Sequence, residues 1–139
     1  MTKKPTALEA RQEIEKRLQQ AGIQPTAQRI AIAQYVLTDA DHPTADDIKT
    51  WADQNFPKMS LATVYNTLKI LVQSGILREF KLPHSDRVIY DTNLSHHFHF
   101  LDEKTGALHD IPPEELEIKP RNSKNWDIKQ VHVVLVGRK

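Results

Sequence analysis

Apolar positions recur every three to four residues through the first half of the chain, then every second residue, and the change of period divides it. Between about Ala7 and Ala21, Ala7, Leu8, Ile14 and Leu18 share one helical face, with Gly22 as a stop. Pro25-Thr26 opens a second helix whose apolar residues are Ile30, Ile32, Ala33, Val36 and Leu37, running out near Asp39. Thr44-Ala-Asp-Asp47 has the form of a capping box, with Asp where Glu or Gln is usual. It starts a third helix, Ala45 to Asn55, that buries Ile48 and Trp51. Ser60, after Pro57, caps a fourth helix with Leu61, Val64, Leu68 and Leu71 in one stripe and Gly75 at its end. The opposite face of this helix carries Thr63, Asn66 and Thr67, flanked by Tyr65 and Lys69.

Two strand-like runs follow, Ile76–Lys81 and Arg87–Asp91, joined by the turn formers of Leu-Pro-His-Ser-Asp, which predicts a β-hairpin. Helices followed by a hairpin are the arrangement of a winged helix, the fourth helix reading DNA and the hairpin serving as wing. Tyr65 and Asn66 are then the base-edge candidates, and Arg29, Ser60, Thr63 and Lys69 the phosphate contacts. For such a helix in isolation, a solvated polar face is the plainer reading. His84, in the wing turn, reads as solvated or phosphate-facing. Beyond Asp91, alternation predicts strands at 97–101, 107–111 and 128–136, the last carrying Ile128, Val131, Val133, Val134, Leu135 and Val136. Residues 112–126 hold three prolines and leave room for one short helical turn. The expected fold is α+β: a winged-helix DNA-binding domain over 1–89, then a small α/β domain over 90–139 for metal binding and dimerisation. A small sheet with so apolar a last strand completes its core against a partner, so a homodimer is expected.

Composition narrows the chemistry. With no cysteine among 139 residues, disulfides, iron–sulfur clusters and thiolate zinc sites are excluded, and any metal must be held by His, Asp, Glu or backbone. No apolar run approaches the ~18 residues of a membrane span and no signal-peptide core follows Met1, so a cytoplasmic protein without membrane contact is expected. Lys and Arg number 12 against 10 Asp and Glu up to Ile89, and 7 against 8 after it. Affinity for DNA must therefore come from local rather than overall charge.

One stretch concentrates the ligand chemistry. Between Tyr90 and Ile111 stand Asp91, His96, His97, His99, His109 and Asp110, including four of the seven histidines. On an extended strand His97 and His99 point to one face. Imidazole and carboxylate together suit borderline divalent ions such as Fe, Mn, Zn or Ni.

Four segments in order carry a resemblance: Pro25-Thr-Ala-Gln-Arg29, His42-Pro-Thr-Ala-Asp-Asp-Ile48, Ser60-Leu-Ala-Thr-Val-Tyr-Asn-Thr-Leu68 and His97-Phe-His99. Over about residues 15–111 they resemble the ferric uptake regulator (Fur) superfamily of dimeric, metal-dependent, winged-helix transcription regulators. The segment after His42 is similar to the peroxide-sensing, PerR-like branch. That resemblance implies a regulatory site made of His42, Asp91, His97, His99 and Asp110, holding Fe(II) or Mn(II), with Zn(II) an expected occupant of purified protein. It also implies a palindromic double-stranded DNA operator, repression as the mode of control, and oxidation-sensitive imidazoles at His42 or His97. A metal held by both domains would clamp their orientation and link metal affinity to DNA affinity. His96 and His109 are candidates for an accessory metal or for supporting the ligands.

Departures from the family pattern matter as well. Where members commonly carry the first pair of zinc-binding cysteines, this chain has Asp102 and Thr105, so a structural four-cysteine zinc is not expected. Its lack of cysteine, together with Asp91-Thr-Asn93 and the short final segment Trp126–Lys139, resembles the iron- and haem-responsive, Irr-like branch, which makes haem an alternative effector. A metal-dependent hydrolase is the competing class. Five protein ligands leave little room for substrate and water, and neither a nucleophile motif nor a Gly-rich phosphate loop is present, so no enzyme is expected.

Overall fold

A computed structural model describes residues 6–82 and 85–139, except for the side chains of Ala7 and Ser123. The hairpin tip with His84 lies outside the described residues. The chain divides into two compact units, Met1–Leu94 and Ser95–Lys139.

The first unit comprises α1 (Ala7–Gln20), α2 (Ala27–Gln34), a π-helical turn (Tyr35–Asp39), α3 (Ala45–Asn55), α4 (Leu61–Gln73) and the hairpin strands β1 (Arg78–Lys81) and β2 (Val88–Asp91). Each α-helix begins on a hydroxyl that accepts from a first-turn backbone N–H: Thr6, Thr26, Thr44 and Ser60. At α3 the box is reciprocal, Asp47 N–H donating to Thr44 Oγ1 (3.1 Å) and Thr44 N–H to Asp47 Oδ2 (2.9 Å). The shorter Asp thus does the work of the usual Glu. After α1 and α4 the chain leaves through Gly22 and Gly75 at φ of 77° and 75°, where a Cβ would be strained. Ile14 and Leu18 of α1, Ile32 and Val36 beyond it, Ile48 of α3, and Val64, Leu68 and Leu71 of α4 form one continuous buried cluster. Tyr35 stacks face to face on Trp51, with centroids 4.3 Å apart, at the edge of that cluster.

Three details of the helices differ from the sequence reading. Leu8 is exposed (65%), and so is Leu61, because each stands in the first turn of its helix, short of the packed faces. Thr67, expected on the polar face, is buried. It lies one turn from Val64 and Leu71, and its hydroxyl donates to the Thr63 carbonyl (2.8 Å), which removes the penalty of burying it. Trp51 is only partly buried.

The second unit contains β3 (Phe98–Asp102), β4 (Leu108–Ile111), two 3₁₀ turns (Pro113–Glu115 and Ser123–Asn125) and β5 (Val134–Gly137). Sheet order is β4-β3-β5, with β3–β4 antiparallel and β3–β5 parallel. Two short turns occupy the proline-rich stretch, where one was expected. The last strand begins six residues later than alternation suggests. Its partner β3 starts only at Phe98, and pairing begins with His99 opposite Val134, so among the described residues no strand pairs with residues 128–132. His132, read as a strand residue, instead meets Gln130 side chain to side chain at 3.0 Å.

Candidate metal centre and nucleic-acid interface

His42 is the non-glycine residue with positive φ (46°) among the described residues. Bonds on both sides hold it there. The Ala40 N–H closes the π turn on the Tyr35 carbonyl (2.8 Å), and the Tyr90 N–H of β2 donates to the Pro43 carbonyl (2.9 Å). That second bond draws the loop before α3 against β2, whose last residue is Asp91. His42 Nδ1 lies 2.6 Å from Asp41 Oδ1, and His42 Nε2 lies 3.7 Å from Asp91 Oδ2. Asp91 is itself fixed, its Oδ1 accepting the Asn93 N–H at 2.9 Å. Two ligands each ~2.1 Å from one ion stand about 3.0 Å apart at right angles and about 4.2 Å apart when opposed. The 3.7 Å separation is too long for a hydrogen bond and falls inside that range.

In the second unit His97 precedes β3 and His99 lies within it, opposite Asp110 of β4 in the antiparallel register. His97 Nδ1 meets the Ser95 carbonyl at 2.7 Å, which assigns the proton to Nδ1 and leaves Nε2 as the lone-pair nitrogen. The Nε2 atoms of His97 and His99 are 3.1 Å apart, and Asp110 Oδ1 lies 3.5 Å from the first and 3.4 Å from the second. Three donors with such spacing can cap one face of a single divalent ion. The donor set is nitrogen and oxygen only, suited to Mn, Fe or Zn.

The remaining histidines separate from this group. His109 pairs with Phe100 across the strands, which puts it on the sheet face opposite His99 and Asp110. It faces Asp102 instead. His96 is exposed, its ring edge-on to Phe98 at 4.9 Å. Asp102 and Thr105 lock the β3–β4 turn. Asp102 Oδ1 accepts the Lys104 N–H (2.9 Å), its Oδ2 accepts the Thr105 hydroxyl (3.0 Å), and Thr105 Oγ1 accepts the Ala107 N–H (3.2 Å). The Lys104 backbone bond first, then those from Thr105 and the nearby His109, outweigh burial and hold the Asp102 carboxyl below the usual range.

Of the expected DNA-contacting residues, Tyr65, Asn66 and Lys69 line a cleft of about 1150 Å³ between α4, the start of α3 and the hairpin, with Arg87 across it. Tyr90 forms its floor. Burial chiefly, with Glu79 and Tyr65 adding, raises the Tyr90 phenol above its ordinary pKa, so it stays a neutral donor. Arg29, Ser60 and Thr63 do not line this cleft. The Arg29 guanidinium donates to the Gln24 carbonyl (3.0 Å), and Ser60 and Thr63 share the cap of α4.

Sequence reasoning missed Asp41 and the Ser95 carbonyl. An acid adjoining a candidate ligand could have flagged the first; a backbone oxygen leaves no trace in side-chain identity.

A helical unit with a hairpin, joined to a sheet that presents clustered imidazole and carboxylate, defines the class of metal-dependent regulators. The chain belongs to the Ferric uptake regulator family, which matches residues 20–136. Members are DNA-binding transcription regulators, generally dimeric, and not enzymes. The chain is 33% identical to the peroxide-responsive repressor PerR of Staphylococcus aureus over 123 residues, covering 86% of this chain and 82% of the relative. Among solved structures it is similar to PerR from Streptococcus pyogenes, described for peroxide sensing and gene regulation (30% identity, TM-score 0.55, 99% of this chain and 96% of that one). A zinc-bound manganese uptake regulator is also similar (26% identity, TM-score 0.71, 91% and 98%). Among the described residues no helix is long and apolar enough to cross a membrane.

Proposed function

We propose that His42 and Asp91 of the first unit and His97, His99 and Asp110 of the second are the five ligands of one regulatory Fe(II) or Mn(II) site. On this reading the chain is a PerR-like repressor that binds a palindromic operator as a homodimer and releases it on exposure to peroxide. The observation that carries the reading is the triangle of His97 Nε2, His99 Nε2 and Asp110 Oδ1, with edges of 3.1 to 3.5 Å. Two donors from the other unit would complete the set. Similarity to peroxide-responsive repressors supports the signal.

Iron held by these residues would supply the redox chemistry that cleaves the peroxide O–O bond. The chain's own contribution would be to hold imidazoles within reach of that chemistry. With peroxide as the two-electron oxidant, one of its oxygens would enter the ring of His42 or His97 at a C–H position and the other would leave as water, and the oxidised ring would no longer serve as a ligand. Because metal and DNA would both favour the same arrangement of the units, each strengthens binding of the other by the same factor. Tyr65 and Asn66 read base edges from the cleft. Arg29, Ser60, Thr63 and Lys69 set the helix against phosphates.

The test is operator binding by Fe(II)- and Mn(II)-loaded protein, without oxygen, before and after micromolar peroxide, followed by peptide mass spectrometry. Loss of binding in the Fe(II) sample alone, with one oxygen atom gained at His42 or His97, is the expected result. His97→Ala should abolish metal-dependent binding while leaving the dimer intact. Binding that follows metal occupancy but ignores peroxide would overturn peroxide sensing and leave an iron or manganese regulator. Release by stoichiometric haem would identify the Irr-like alternative.

A further inference from the structure

We infer that Asp41 is a positioning residue for His42: its carboxylate fixes the imidazole tautomer that presents Nε2 toward a metal. The inference rests on His42 being a ligand, as proposed above. Three observations carry it. First, Asp41 Oδ1 stands 2.6 Å from His42 Nδ1, a charge-assisted hydrogen bond with the ring nitrogen as donor. With the proton on Nδ1, the lone pair lies on Nε2, the nitrogen 3.7 Å from Asp91 Oδ2. Second, the backbone at His42 has φ of 46°, a region that L-residues enter at a cost and hold only where neighbours over-determine it. The bonds from Ala40 to Tyr35 and from Tyr90 to Pro43 brace the loop on either side, and the Asp41 contact fixes the ring itself. Third, the other unit reaches the same end by different means, since His97 Nδ1 is held by the Ser95 carbonyl and Nε2 is again the nitrogen presented.

The two devices are chemically unequal. Ser95 offers a neutral carbonyl from the backbone, whereas Asp41 offers a full negative charge from a side chain. A carboxylate behind an imidazole makes it a stronger donor as well as orienting it, and loss of such a partner typically weakens metal binding 10- to 100-fold. The Asp41 side chain is largely exposed (87%), so the contact adds little to folding stability. Choosing between two tautomers of a held ring asks much less of it.

The experiment uses the full chain and three variants: Asp41→Ala, Asp41→Asn and His42→Ala. Nitrogen-15 NMR of the metal-free protein, above the pH where the imidazole is charged, reads the His42 tautomer. Free Mn(II), followed by electron paramagnetic resonance, reads affinity. Wild type should show His42 with its proton on Nδ1. Asp41→Ala should show mixed tautomers and a 10- to 100-fold weaker affinity. Asp41→Asn keeps an oxygen acceptor without the charge, so it should keep the tautomer and lose only part of the affinity. Unchanged thermal midpoints will separate these effects from misfolding. An unchanged His42 tautomer in Asp41→Ala overturns the inference, even where affinity falls. If His42→Ala binds Mn(II) as wild type does, the five-ligand site fails instead, and the tautomer measurement still decides whether Asp41 orients the ring.

Discussion

The two units treat their apolar residues in opposite ways. In the first, four helices bury Leu18, Ile32, Val36, Ile48, Val64 and Leu68 to about 1% exposure or less in one cluster. In the second, Phe98 and Leu108 are the buried apolar side chains among the described residues, while Ile118, Trp126, Ile128, Val131, Leu135 and Val136 remain exposed. Its other buried groups are polar: His97, His99 and Asp102. The first unit is held by its core; the second is organised around hydrogen bonds and clustered imidazole and carboxylate groups, with β5 as an edge strand whose outer rim pairs with no other strand among the described residues. An exposed apolar edge of this kind is a template for pairing with another chain.

The contrast can be broken from either side. The largest effect is expected in the first unit: Leu68→Ala removes a fully buried α4 side chain from the continuous core cluster and should cost about 2–5 kcal/mol. Thermal or urea unfolding followed by far-ultraviolet circular dichroism measures it. Next comes Leu135→Lys, which charges an exposed apolar position of the edge strand β5 and leaves the buried helical cluster unchanged. Light scattering should show a monomer while the helical transition stays in place, and an unchanged oligomer would remove β5 from the interface. The smallest effect is expected at Asp102. Its carboxyl is held below the unfolded value of about 4, so its stabilisation is complete above that pH and is lost as pH falls through the depressed folded value. Protection of the Lys104 amide, taken against the intrinsic exchange rate at each pH, should therefore fall only on acidification below about pH 4. Asp102→Asn should flatten that dependence and change little at neutral pH.

Most of the first unit was legible in the sequence because its signals are local. The limits of α3 follow from Thr44, Asp47 and an apolar period of 3.6, all within a dozen residues. Leu8 and Leu61 misled because periodicity marks a face without saying how far along the helix its neighbours extend. The start of β5 was not legible, since it depends on where β3, about 35 residues earlier, begins to offer partners. At the candidate site, residue identities made His97, His99 and Asp110 candidates and strand alternation placed the two histidines on one face. The cross-strand register that puts Asp110 beside them could not be read that way. The left-handed turn at His42 and its hydrogen bond to Asp41 arise from the π turn and the Pro43–Tyr90 bond, neither of which has a sequence signature.

The stacking of Trp51 on Tyr35 has an optical consequence. The chain has two indoles, one in each unit: Trp51 packed beside the helical core and Trp126 exposed to 60% near the carboxyl end. Water around Trp126 shifts its emission to the red, whereas Trp51 emits from drier surroundings and sits against a phenol at the head of the segment leading to His42. Fluorescence from the unlabelled protein therefore combines a redder contribution from Trp126 with a bluer one from Trp51, so a shift of the blue side reports on the helical unit and a shift of the red side on the segment before β5.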